Sequence, residues 1–158
     1  MALEIERKFL VKSHSFKSEA FNSYVIKQGF LNSHAERTVR VRLKEEKGYL
    51  TIKGKSIING LSRFEWEKEI SKAEAEALLK LCELGVIEKT RYEIKCGDHI
   101  FEVDVFEGDN IDLIVAEVEL NKEDEHFEKP EWLGEEVTGD VRYYNSQLSQ
   151  RPYKNWKQ

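Results

Sequence analysis

The sequence predicts a mainly β (α+β) fold, an antiparallel meander of eight strands with a few flanking helices. Three observations predict it. Charged and apolar residues alternate at every second position along several stretches, which is the period of a strand. No proline lies between Met1 and Asn121, so none interrupts a ladder there. Short turn signals separate the runs: Glu46-Lys47-Gly48, Asn59-Gly60, Gly97-Asp98 and Gly108-Asp109-Asn110. A chain of 158 residues is long enough for one domain, 1–158, with a sizeable core. No linker, repeat or low-complexity tract divides it.

The strands read near 2–12, 23–33, 36–46, 48–58, 61–70, 87–96, 99–107 and 112–121. Asn59-Gly60 is the sharpest hairpin signal. Ser71 followed by Glu74 is a capping box that opens a helix over 72–84. Ala73, Ala77, Leu78, Leu81 and Leu84 give that helix an apolar side. A shorter helix is read over 14–22. Thr138 to Ser149 reads as helical, capped by Thr138 or Asp140. Tyr153 and Trp156 in the last residues are expected to pack back on the body.

One face of many strands is charged. Glu4, Glu6 and Lys8 share a face on the first strand, and Arg40 and Arg42 on the third. Lys53 and Lys55 share one on the fourth, and Arg63, Glu65, Glu67 and Glu69 on the fifth. Lys89 and Arg91, Glu102 and Asp104, and Glu117 and Glu119 follow on the sixth, seventh and eighth. The opposite face is largely apolar: Ile5, Val41, Ile52, Trp66, Val103, Val118. Two sheets account for this. In one, the charged faces meet water and the apolar faces a core. In the other, the sheet closes into a barrel with the charges inside. The signs segregate by strand, cationic on the third, fourth and sixth, anionic on the first, seventh and eighth. That favours the barrel, because a merely soluble surface intersperses signs. An Arg/Lys wall suits phosphate oxygens. A carboxylate wall suits Mg²⁺ or Mn²⁺.

Composition narrows the function. With 25 Lys plus Arg against 30 Asp plus Glu, the net charge is -5, which argues against broad nucleic-acid binding. Cys82 and Cys96 form no metal-type pair and read as reduced thiols of a cytoplasmic protein. Glu4 and Glu6 interrupt any apolar leader segment, and no apolar run reaches membrane-spanning length. His14, His34, His99 and His126 lack ligand spacing. No Ser or Cys nucleophile arrangement is present.

The ordered motifs resemble CYTH domain proteins, also called triphosphate tunnel metalloenzymes. They are Glu4-x-Glu6-x-Lys8, Arg40-Val41-Arg42, Thr51-Ile52-Lys53-Gly54, Lys89-Thr90-Arg91-Tyr92, Glu102-Val103-Asp104-Val105-Phe106 and Ala116-Glu117-Val118-Glu119-Leu120. They run in order across residues 3–147. The resemblance implies an eight-stranded antiparallel β-barrel open as a tunnel, with a C-terminal plug helix after Asp140-Val141-Arg142-Tyr143. It implies Glu4, Glu6, Asp104, Glu117 and Glu119 as metal-side ligands for Mg²⁺ or Mn²⁺. Lys8, Arg40, Arg42, Lys53, Lys89 and Arg91 become phosphate-binding residues. Arg63, Glu65, Glu102 and Arg142 take lesser places. Glu67 and Glu69 have the right parity but are placed beyond the tunnel, and Lys55 at its mouth or in solvent.

The implied activity is metal-dependent hydrolysis of triphosphates, with inorganic triphosphate the minimal substrate. A class IV adenylate cyclase and a thiamine or nucleoside triphosphatase are the alternatives within the family. Many family cyclases carry a His-Phe pair shortly before the first motif, and only Met1, Ala2 and Leu3 precede it here. A non-catalytic polyphosphate-binding module is the alternative of another class, and it could dispense with the acidic wall. An apolar-ligand barrel would need the opposite parity. The expected partner is a small-molecule triphosphate, with neither nucleic acid nor membrane, for a monomer or homodimer.

Overall fold

A computed structural model of the chain describes residues 3–56 and 62–156. Eight strands follow in chain order: β1 (Leu3–Val11), β2 (Asn22–Asn32), β3 (Arg37–Lys44), β4 (Lys47–Gly54), β5 (Ser62–Ser71), β6 (Ile87–Cys96), β7 (His99–Phe106) and β8 (Ile114–Glu119). They match the expected strands to within a few residues at each end. Around the sheet they run β5-β4-β3-β2-β6-β7-β8-β1, and β1 pairs back onto β5. Leu3 lies opposite Phe64 and Glu4 opposite Arg63 in that last ladder, which closes the barrel. The Asn59-Gly60 turn signal lies outside the described residues. The flanking strands β4 and β5 do pair antiparallel, with Lys53 opposite Glu65.

Closure decides which face is inside. Phe9, Ile94, Phe101, Val103, Ala116 and Val118 point away from the charged set and form the main apolar core. That core lies outside the barrel wall, covered by a short helix α1 (Phe16–Glu19) and the segment carrying Phe127 and Trp132. Phe16, Phe101 and Trp132 meet edge to face, with Phe16–Trp132 and Phe101–Trp132 ring centroids both 5.7 Å apart. The charged faces therefore turn inward. Burying them is tolerable only because cations and carboxylates face one another there.

A ninth strand, β9 (Leu133–Glu136), pairs with the end of β1 beyond β8. Its four residues carry no alternation long enough to be read from sequence. Helix α2 (Lys72–Leu79) has the expected capping box. Ser71 Oγ accepts from the Glu74 N–H at 3.0 Å, and Glu74 Oε1 accepts from the Ser71 N–H at 2.9 Å. It stops five residues early, and its buried contact is Ala75. Leu81 and Leu84 are exposed, Leu84 by 93%. The short helix seats close on β4, where a Cβ on Gly48 would lie 2.6 Å from Ala75 Cβ. Helices cover only part of the outer surface: Phe64 and Trp66 on β5 stay exposed. Among the described residues no helix is long and apolar enough to cross a membrane.

The C-terminal segment closes one end of the barrel. The expected single helix over 138–149 is instead a 3₁₀ turn (Val141–Tyr143) followed by a four-residue helix α3 (Asn145–Leu148). Asp140 caps the turn, accepting from the Arg142 N–H. Tyr143 and Leu148 pack with Ile87, Phe106, Leu113 and Val115, and Tyr153 and Trp156 fold back against them as expected. Gly85 makes this closure possible. It has φ +96, and a Cβ there would sit 1.8 Å from the Ser149 carbonyl oxygen. Gly85→Ala is therefore expected to lower stability by at least about 2 kcal/mol, from backbone strain plus displacement of the C-terminal segment. An unchanged urea midpoint would contradict that.

Candidate active site

The inward faces enclose a cavity of about 380 Å³. Six basic side chains line it: Lys8, Arg40, Arg42, Lys53, Arg63 and Arg91. Eight carboxylates line it too, among them Glu4, Glu6, Glu102, Glu117 and Glu119. The strand register sets the two walls. β1 and β8 are neighbours, with Glu6 opposite Glu119 and Lys8 opposite Glu117. Glu102 on β7 lies opposite Glu117. β3 and β4 are neighbours on the other side, with Arg40 opposite Thr51 and Thr38 opposite Lys53.

On the acidic wall, like charges stand directly across from each other, an arrangement that destabilises a sheet unless something neutralises it. Burial raises the Glu6 carboxyl, but Lys8 at 3.4 Å and the more distant Lys53 outweigh it and hold Glu6 at about 2. Burial likewise works against the Glu4 charge, and Lys53 at 2.7 Å keeps Glu4 below its ordinary value. Glu119 has no such help. Among the described residues no cationic group lies within salt-bridge distance of it. Partial burial and the crowding of Glu4, Glu65, Glu6 and Glu102 push it up to about 7. Glu102 is also raised, by burial and then by Glu117 and Asp104 against the pull of Arg91.

The basic wall is under-partnered in the same way. Among the described residues, Arg40 has only Thr51 Oγ1 at 3.4 Å and Glu67 at 3.9 Å. The Nε atoms of Arg40 and Arg42 are buried without an acceptor among the described residues. Burial, then Arg42 and Arg91, depress Arg40 to about 9. A guanidinium stays charged at neutral pH, so that depression measures how far its charge lacks an anionic partner.

Several expected residues fall elsewhere. Asp104 is buried with both oxygens engaged: Arg91 grips it at 2.7 and 2.9 Å, and Lys89 Nζ lies 2.6 Å away. Those two cations overcome the cost of burial and hold it at about 2. It is not free to ligate a metal in this arrangement, and what it does is fix the Arg91 guanidinium. Lys89 is fully buried behind the wall and donates to Asn145 Oδ1 at 3.3 Å. Burial outweighs Asp104 and lowers Lys89 to about 8. Arg142 does not reach the cavity. It is exposed, bonds to Asp140 at 2.7 Å and lies over the Tyr143 and Trp156 rings. Lys55, read at the mouth or in solvent, faces solvent beside Glu36.

Glu67, placed outside the tunnel from sequence, lines it instead and accepts from Thr51 Oγ1 at 2.8 Å. Thr38, Thr51, Phe30, Tyr144, Asn145 and Ser146 also line the cavity and were not foreseen. Strand parity could have found Thr38 and Thr51, which share a face with Arg40 and Arg42 on β3 and with Lys53 on β4.

The cavity's carboxylates suit a divalent cation. Carboxylate oxygens are hard donors that suit such an ion. Carboxylates outnumber basic groups in the cavity, so a triphosphate alone would deepen a surplus of negative charge that a cation offsets. Among the described residues, however, no three such side chains already converge as a ligand cage. Glu4 and Glu6 lean on Lys53 and Lys8, so binding would require an exchange of partners. The donor set fits, in an unassembled form.

A closed antiparallel barrel with opposed acidic and basic inner walls defines a protein that handles polyanions in a tunnel. The chain belongs to the CYTH domain family, whose model matches residues 2–153. Two curated relatives are named inorganic triphosphatase. One, from Acetivibrio thermocellus, is 47% identical over the full length of both chains. The other, from Nitrosomonas europaea, is 38% identical over 92% of this chain and 96% of that protein. The crystal structure of an inorganic triphosphatase, 36% identical, covers 92% of this chain and 97% of that chain with a TM-score of 0.66. Triphosphate tunnel metalloenzymes of this family are metal-dependent.

Proposed function

We propose that this protein is a metal-dependent inorganic triphosphatase, a single tunnel domain that converts triphosphate and water to orthophosphate and pyrophosphate. The observation that carries the reading is the pairing of under-partnered guanidinium groups on one inner wall with a cation-deficient carboxylate on the other. The full-length relatives named for this activity support it.

Arg40, Arg42, Arg91 and Lys53 hold the phosphoryl oxygens, with Lys8 and Arg63 at the closed end. Asp104 keeps Arg91 oriented, and Lys89 adds positive potential from behind it. Glu4, Glu6, Glu117 and Glu119 would hold Mg²⁺ or Mn²⁺. Such an ion neutralises triphosphate charge and lowers the pKa of bound water. Water attacks the terminal phosphorus in line as the bond to the bridging oxygen breaks, and pyrophosphate leaves with that oxygen. The guanidinium groups are fixed before reaction, so they stabilise the growing charge on the leaving group without reorganising.

The test is orthophosphate release from inorganic triphosphate, ATP and thiamine triphosphate with Mg²⁺ or Mn²⁺, with cyclic AMP measured in parallel. Inorganic triphosphate is expected to turn over fastest, without cyclic AMP. Cyclic AMP and pyrophosphate as the main products from ATP would replace this reading with the cyclase. Binding without turnover under either metal would replace it with a polyphosphate-binding module.

A further inference from the structure

Tyr144 stands where the cavity ends. It is 7% exposed and sits immediately before α3. Its ring faces two cations at once: Arg63 Cζ lies 5.2 Å from the ring centroid and Lys8 Nζ 5.9 Å. Its hydroxyl lies 3.2 Å from Ser56 Oγ, at the start of the β4–β5 connection. Behind it is a second, much smaller chamber of about 10 Å³, bounded by Ser56, Thr138 and Gly139. The two spaces share Glu4, Glu6, Lys8, Arg63 and Tyr144.

We propose that Tyr144 is a positioning residue for the cations at the closed end of the tunnel, its ring holding Lys8 and Arg63 toward the bound phosphoryl group. Both cations have competing attractions. Lys8 lies 3.2 Å from Glu117 and 3.4 Å from Glu6, and Arg63 Nε lies 3.9 Å from Glu4. These are the carboxylates assigned to the metal side. A cation that collapses onto them is lost to the substrate and blocks the acidic wall. The negative face of an aromatic ring offers a second attraction that carries no net charge and does not compete for a metal. In a largely desolvated site that attraction is at its strongest. The Ser56 contact and the backbone of α3 fix the ring itself, since the N–H groups of Gln147 and Leu148 both donate to the Tyr144 carbonyl at 2.9 Å.

This rests on the triphosphate reading of the same tunnel. The experiment compares Tyr144→Phe, Tyr144→Leu, Arg63→Ala and the Arg63→Ala/Tyr144→Leu double variant in the full chain. Two quantities are read for each: kcat and KM for inorganic triphosphate with Mg²⁺, and the calorimetric affinity for inorganic triphosphate with Ca²⁺. Tyr144→Leu is expected to weaken affinity and kcat/KM by about tenfold, the scale of a desolvated cation–ring contact. Tyr144→Phe keeps the ring and is expected to stay within about threefold of the parent, as loss of one hydroxyl contact allows. The double variant is expected to lose little beyond Arg63→Ala alone, because the ring acts partly through Arg63. Parent-like Tyr144→Leu, an equal loss in Tyr144→Phe, or losses that simply multiply in the double variant would each overturn the proposal. If Tyr144→Leu fails to give a cooperative melt, Tyr144→Met is read against the same expectations. Absence of turnover in the parent would overturn the triphosphatase reading, while the ratio of calorimetric affinities still decides the role of Tyr144.

Discussion

Arg40→Ala lowers turnover of inorganic triphosphate by a factor on the order of 10²–10³, the scale set by removal of one preorganised charge-stabilising donor. Arg40→Lys recovers part of that, because the charge returns without the planar fork. The accompanying stability change is the sharper sign. Among the described residues Arg40 has weak partners and a buried Nε without an acceptor, and its guanidinium is depressed to about 9. It costs the empty protein stability, so Arg40→Gln is expected to keep or raise the melting temperature while activity falls. Loss of both together would identify Arg40 as a structural cation. Arg91→Ala is expected to lose activity as far, but with a fall in stability, since it strips Asp104 of a bidentate partner.

Glu119→Gln and Glu6→Gln are expected to abolish most metal-dependent turnover, each removing one charge from the cation side at nearly constant volume. Their effects on the metal-free protein differ. Glu119 is raised from an ordinary value of 4.5 to about 7. A carboxyl raised by folding supports the folded state fully below pH 4.5 and loses that support as the pH climbs through 7. Glu119→Gln should therefore stabilise the metal-free protein at pH 8 and hardly change it at pH 4. Glu6 is held at about 2. Its support is present above pH 4.5 and is lost as the pH falls toward 2, so Glu6→Gln should destabilise at neutral pH. Thermal melts across pH check both signs. Equal stabilisation by Glu119→Gln at both pH values would contradict the crowding of carboxylates.

Much of this was legible because a strand has a period of two. Alternation gave eight strands, and the segregation of sign gave two walls once the sheet closed. Asp104 shows where that reasoning stops. Parity places it inside with Glu102, but parity cannot say that Arg91 and Lys89 will occupy both its oxygens, because that depends on register with β6. Glu67 shows the reverse: its reach into the tunnel follows from lying opposite Thr51. Arg142 read as a tunnel residue because it follows a motif, whereas the 3₁₀ turn after Asp140 points it outward onto Trp156. The expected helix over 72–84 fails at its C-terminal end: it stops at Leu79, and Leu81 and Leu84, which continue the apolar periodicity, are exposed. β9 and Tyr144 leave no local signal. One takes its pairing from the free edge of β1, and the other takes its role from cations that precede it by more than eighty residues.

The most direct measurement is an anomalous-scattering map from crystals grown with inorganic triphosphate and Mn²⁺. The account predicts a Mn²⁺ peak inside the barrel among Glu4, Glu6, Glu117 and Glu119, with phosphate or pyrophosphate density against Arg40, Arg42 and Arg91. Mn²⁺ and phosphate confined to the outer surface, with the tunnel empty of both, would contradict it.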